Sequence, residues 1–325
     1  MLPPARTCRA WEGHLHIPDG FLGAPVAGAT WLAGGGALAI ALRAERRERR
    51  HVPAGVLGAL AAFVFAAQMV NVPVAAGTSG HLVGATLVAL LVGPWRAVIV
   101  MAVVLALQAA LFQDGGLTAF GANLLDMGVA GALVGATVAA LTGRLVRGYR
   151  GVVAGAVFGS FVATVCGAVL TALWLAASGL YPLSGVLPLL LVTHTAIGVL
   201  EGALTGAIVA TLLRWRPDLL TSHTAPDAAR PGVFAAGLLG VALVVAAFLA
   251  PFASRLPDGL EHTAIALGFA GHARPLVPAT FEGAAFLPGP LARLAALLAG
   301  VTGTLLAALV AWLAGRGLSR RDHVP

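Results

Sequence analysis

Long apolar runs alternate with short polar connections along the whole chain, at 22–43, 53–72, 82–95, 97–113, 123–142, 151–178, 187–213, 233–253 and 291–315. A helix needs about 20 apolar residues to cross a hydrocarbon core of about 30 Å. The pattern therefore predicts an all-α, polytopic transmembrane bundle of nine spans. The third run is short for a span and admits three readings: tilted, partly re-entrant, or extended at its start. A connection rich in Pro, Thr, Ala and Asp at 215–232 reads as a linker. It divides a seven-span body, 15–214, from a two-span tail, 233–325. Residues 1–14 precede the first run and lack the apolar stretch of a secretory signal. No internal repeat suggests an inverted-repeat carrier.

Composition agrees: 59% of residues are hydrophobic and only 10% charged, where a soluble domain carries about a quarter charged residues. The 42 glycines suit helices that approach closely in lipid. A net charge of +7 would in a soluble protein suggest nucleic acid. Here the arginines cluster in alternate connections: Arg43, Arg46, Arg47, Arg49 and Arg50; Arg96; Arg144, Arg147 and Arg150; Arg214, Arg216 and Arg230; Arg316, Arg320 and Arg321. Cytoplasmic loops carry such an excess, so the expected setting is the cell (inner) membrane, amino terminus outside and carboxyl terminus cytoplasmic. No nucleic-acid partner is expected. The segments holding His16, Gly80–His81, Asp114 and Asp258 then share the outer face. Cys8 and Cys166 alone make neither a disulfide framework nor a thiolate metal cluster.

The chain has no lysine, hence no GxxxxGK[ST] loop, and neither HExxH nor GxSxG. It is not expected to be an enzyme or to hydrolyse ATP. What remains is histidine beside glycine-rich turns, in HLHIPDGFL at 14–22 and GTSGHLVG at 77–84. Neutral imidazole suits nickel, cobalt, zinc and copper.

Four segments in this order, HIPDGFL at 16–22, AAFVFAAQMVNVPVAAGTSGHLVG at 61–84, QAALFQDGGLTAFGANLLDMG at 108–128 and HTAIGVLEGALTG at 194–206, resemble the NikM/CbiM group. These are substrate-capture components of nickel and cobalt energy-coupling-factor transporters. The tail, with PDGLE at 257–261, resembles the group's small accessory component, which some members carry fused. The resemblance implies binding of Ni(II) or Co(II) outside for import, with a separate transmembrane coupling protein and a cytoplasmic ATPase as partners. The metal is cargo, and no cofactor is implied. HIPDG in place of the HIMEG of cobalt-type members favours nickel.

In that group the protein starts Met-His-Ile, and the ion is held by the terminal amine, the backbone nitrogen and imidazole of the second residue, and a histidine of the TSGH loop. Carried over, the ligands are Leu15, His16 and His81. Fused chelate rings on adjacent residues and a fourth nitrogen make a planar square, the geometry of Ni(II) and Cu(II). Leu15 is internal in this sequence, so its nitrogen is an amide. Three readings restore the missing ligand: translation starting at Leu15 through a leucine codon read as methionine, trimming before Leu15, or a retained extension in which His14 substitutes.

Asp19 follows Pro18 in a Pro-Asp-Gly turn and is expected to fold the amino terminus back rather than ligate. Gln68 and Asn71, near the outer end of the second span, either orient a histidine ring or bridge helices. Ser79 is expected beside His81 in a supporting role. Glu201 shares a helix face with His194 and is expected to make a structural polar contact rather than a second metal site. Asp126 and Gln108 read as bundle-facing polar residues. On the tail's outer loop, Glu261, His262 and His272 could pass metal inward. Two rivals stay open: a stand-alone secondary carrier, using Glu201 and Asp126 for proton coupling, and a ligand-free membrane assembly subunit.

Overall fold

A computed structural model describes residues 16–48, 52–215, 231–274, 276 and 290–319; His14, Leu15 and residues 216–230 of the expected linker lie outside them. The body comprises α1 (Ala24–Arg47), α2 (Ala54–Gln68), α3 (Ala85–Val92), α4 (Pro94–Leu107, extended by a π turn at Gln108–Phe112) and α5 (Phe120–Asn123). A π stretch, Leu124–Ala130, joins α5 to α6 (Gly131–Leu145), followed by α7 (Gly148–Ala177) and α8 (Leu183–Trp215). The tail adds α9 (Pro231–Val244), α10 (Gly259–Leu267) and α11 (Pro290–Ser319). Among the described residues the extended structure is one antiparallel pair, β1 (Val72–Pro73) and β2 (Ser79–Gly80).

Among the described residues seven helical stretches are long and apolar enough to cross a membrane: Ala24–Arg47, Pro94–Phe112, Phe120–Leu145, Gly148–Ala177, Leu183–Trp215, Gly232–Phe252 and Leu291–Leu318. The chain is a multi-pass membrane protein. The two other apolar runs form shorter helices. α2 has 15 residues, 11 of them buried, because α4 of the body and α9 and α11 of the tail all pack on it. α3 has 8 residues; at 1.5 Å per residue it is about 12 Å long, less than half a hydrocarbon core. Its limits are glycines at positive φ, Gly84 (φ 79°) and Gly93 (φ 94°), a region that residues with a Cβ avoid. The segment 72–84 must therefore reach into the bundle before α3 begins. That is the re-entrant reading of the third run.

Helix direction alternates, which gathers 16–23, 69–84, 113–119 and 253–274 at one end of the bundle. Arg46, Arg47, Arg144, Arg214 and Arg316 occupy last turns at the other end. Arg96 is no free loop charge: it is buried, its Nε 2.6 Å from Oε2 of Glu45. At the histidine-bearing end a separate apolar cluster of Ile17, Phe21, Leu22, Leu175, Leu190 and Phe269 pins the segment after His16 against α7, α8 and the tail. Burying side chains of this size is worth about 1.5–3 kcal/mol each. Phe21 and Phe269 meet edge to face, 5.3 Å between centroids.

Candidate metal site

The segment 16–19 is held as a strand would be, but by a side chain. Ile17 N donates to Oδ1 of Asn123 at 3.0 Å, and Nδ2 of Asn123 returns a bond to Ile17 O at 3.0 Å. Gly116 N adds a third bond to Ile17 O, 2.9 Å. Asp19 accepts from Thr118 through both the backbone N and the hydroxyl, and its carbonyl takes Arg274 N from the tail at 2.8 Å. The sequence permits this approach because Gly115 and Gly116 face it. A Cβ on Gly116 would overlap Asp19 and Pro18, and one on Gly115 would lie 3.0 Å from the Cβ of His16.

The second histidine comes from the segment that enters the bundle. Ser79 N donates to Pro257 O at 2.8 Å, and its hydroxyl to Leu256 O at 2.6 Å, tying the loop to the tail. Gly80 packs against Ile197 of α8. Beyond His81, the carboxylate of Glu201 accepts Val83 N at 2.7 Å and Gly84 N at 3.1 Å. Gln68 donates from Nε2 to Val83 O at 2.8 Å and accepts from Nε2 of Gln108 at 2.8 Å. Gln68 thus holds the backbone that carries His81 rather than either ring.

The outcome is two buried imidazoles, His16 at 3% and His81 at 7% exposure, with ring centroids 6.1 Å apart and planes at 74°. With metal–nitrogen bonds of about 2 Å, two imidazoles on one ion have centroids roughly 4.5 to 6.4 Å apart, from cis to trans. The pair falls inside that span. Nδ1 of His16 lies 2.9 Å from Oδ1 of Asp114, while its Nε2 is buried with no hydrogen-bond partner. A nitrogen so placed is costly unless something binds it.

Both rings line a cavity of about 90 Å³ that continues past Asp258, His194 and Glu201 to Asp126 and Ser160. Burial lowers the His16 imidazole, but the adjacent Asp114 carboxylate outweighs it and raises the group above its ordinary value. Burial and the neighbouring His16 push His81 down to about 4. Burial pushes Asp258 up to about 7, against the bond it accepts from Glu261 N as the N-cap of α10. Two imidazoles leave a divalent cation short of ligands, and among the described residues no three His, Cys, Asp or Glu side chains form a metal cluster.

Asn71 does not join the two rings: its carbonyl accepts Ser254 N at 2.8 Å, and its Oδ1 is buried without a partner. From the tail, Asp258, Gly259 and Leu260 line the cavity, whereas Glu261, His262 and His272 do not. Asp126 accepts from Thr171 and Trp174 of α7. His194, although on the face of Glu201, bonds back to Leu190 O at 2.9 Å. Asn123 escapes the sequence reading of the site, and Asp114 is expected there only on the shared outer face, without a role at His16. The signal available was positional: a carboxylate in the QDGG turn and an amide in FGAN, both inside one resembling segment.

A polytopic helical protein with two facing imidazoles buried at one end of its bundle is the class defined by fold and geometry. Residues 16–219 match the family model described as the cobalt uptake substrate-specific transmembrane region, CbiM, and the chain belongs to that family. A chain of Archaeoglobus fulgidus named for fused nickel transport (NikMN) is 32% identical over 298 residues, 90% of this chain and 95% of its own. The cobalt transport protein CbiM of Geobacter sulfurreducens is 34% identical over 75% of this chain and 72% of its own. A crystal structure described as a truncated transition metal transporter superposes with a TM-score of 0.55 at 31% identity, covering 62% of this chain and 99% of that one.

Proposed function

We propose that this chain is the metal-capture membrane subunit of an ATP-driven energy-coupling-factor importer, taking Ni(II) in preference to Co(II) at the outer face. Its domains are the capture body, 15–214, the linker, 215–232, and the accessory tail, 233–325. The observation that carries the reading is the facing of two buried imidazoles, His16 and His81. In this reading the remaining ligands are the nitrogens of Leu15 and His16, with the Leu15 nitrogen as a terminal amine; only Nδ1 of a histidine can close a chelate ring with its own backbone nitrogen, so the four-nitrogen set forms when the His16 ring exchanges Asp114 for the ion. Nitrogen from amine, amide and two imidazoles in one plane selects Ni(II) or Cu(II) over the tetrahedral preference of zinc. Relatives named for nickel transport and for cobalt transport support the cargo. Energy comes from a transmembrane coupling protein and a cytoplasmic ATPase, since this chain has no lysine for a phosphate-binding loop. The amino terminus lies outside, by the arginine bias.

The test is Ni(II) binding by purified protein and Ni(II) uptake by cells that also make the coupling protein and ATPase, for wild type, His16→Ala and His81→Ala. Both functions are lost in the variants on this reading. Uptake and binding that survive His81→Ala would instead mark a ligand-free assembly subunit. Uptake into liposomes containing this chain alone would mark a secondary carrier.

A further inference from the structure

Glu201 is 2% exposed on α8, inside an apolar helix where a lone carboxylate is expensive. Its oxygens accept Val83 N and Gly84 N, and Gly84 is the N-cap of α3. The first amides of a helix have no partner within it and carry its positive dipole end, so a carboxylate is the natural cap for a helix that starts inside the bundle. Val83 is held from its other side by Gln68 of α2. One turn back along α8 from Glu201, Ile197 sits so close to Gly80 that a Cβ there would lie 2.9 Å from its Cγ1. The residues on both sides of His81 are therefore registered on α8. His16 is registered on a different helix, through the bonds between Ile17 and Asn123 at the end of α5.

We propose that Glu201 is the positioning residue of His81: by capping α3 from α8 it sets the separation of the two imidazoles. This deepens the reading of His16 and His81 as metal ligands and rests on it. The two rings ride on separate helices, so a displacement of α8 relative to α5 withdraws one ligand from the other. That is a direct route from helix movement to release of the ion.

Glu201→Gln places an amide NH2 against one of the two backbone N–H groups and so breaks one bond while keeping the volume. The full chain, purified in detergent, is titrated with Ni(II) alone, following the dissociation constant and the visible ligand-field absorption of the bound ion. The expected result is a folded, monodisperse variant binding Ni(II) about 10–100-fold more weakly, with its absorption band displaced from that of wild type. If Glu201→Gln is not recovered folded, Glu201→Asp is read the same way; it keeps the charge but draws the carboxylate back by one methylene. A merely structural Glu201 lowers the thermal midpoint while the folded fraction keeps the wild-type constant and band, and that result overturns the proposal. His81→Ala separates the two readings. Equal binding by wild type and His81→Ala removes the metal reading and this one with it, whereas loss of binding in His81→Ala with wild-type behaviour of Glu201→Gln removes this one alone.

Discussion

Nδ1 of His16 lies 2.9 Å from Oδ1 of Asp114, and Nε2 of the same ring is buried without a partner. The carboxylate draws the imidazole proton to Nδ1 and fixes the ring's direction beside His81. Asp114→Ala is therefore expected to weaken Ni(II) binding by about 10–100-fold with the fold retained. Isothermal titration of the purified variant checks this; a wild-type dissociation constant would falsify the orienting role.

The same pair dictates a pH response. The charged groups facing His16 are Asp114 and Asp258, which raise its value, and burial, which lowers it, is outweighed. His81, facing His16 and His194, is held at about 4 and stays neutral across the physiological range. Protons therefore compete with metal at His16: binding is weak where its ring is protonated and strengthens as pH rises through its raised value. Removing Asp114 leaves burial to lower that value, so the midpoint of the binding curve should move to lower pH, even though affinity at the plateau falls. Dissociation constants measured from about pH 5 to 8 for both proteins decide it, and coincident midpoints count against the assignment.

Much of this architecture is legible in the sequence because lipid forces long apolar runs. All nine runs contain helix, and the histidine-bearing turns do collect at one end. The run at 82–95 misleads because hydropathy does not register that Gly84 and Gly93 both adopt positive φ, which cuts the helix to Ala85–Val92. Partners distant in sequence are equally invisible to pattern. Gln68 is expected either to orient a ring or to bridge helices; it bonds both Val83 O and Gln108, so it braces the loop and joins α2 to the π turn that ends α4. His194 and Glu201 share a face of α8, yet the first bonds to its own helix and the second caps another.

Gly116 provides a test of how the first histidine is docked. A Cβ there would overlap the backbone of Asp19 and Pro18, and overpacking of this kind costs about 1–3 kcal/mol. Gly116→Ala is expected to push 16–19 away from the 113–118 turn, lengthen the bonds to Asn123 and reduce Ni(II) affinity at least about tenfold for a displacement worth 1.4 kcal/mol. Ala at Gly36, where a Cβ would meet nothing within 4 Å, serves as the control and should bind as wild type does. Equal affinity in Gly116→Ala would mean that this turn does not fix His16.

Asp19 joins three parts of the molecule: its carboxylate accepts Thr118 N and the Thr118 hydroxyl, and its carbonyl takes Arg274 N from the tail. Asp19→Ala strands a part-buried backbone N–H, which costs about 1–3 kcal/mol, and it frees the turn that follows His16. Ser79→Ala, by contrast, removes one hydroxyl bond to Leu256 O but keeps the backbone bond from Ser79 N to Pro257 O, so its cost is about 1 kcal/mol. Thermal unfolding in detergent should rank Asp19→Ala below Ser79→Ala, and Ni(II) titration should do the same, because Ser79→Ala leaves the backbone bond that ties the His81 loop to the tail, whereas Asp19→Ala frees the turn that follows His16. The reverse order in the titration would mean that the tail contact at Ser79, rather than the Pro-Asp-Gly turn, governs how the two imidazoles are brought together.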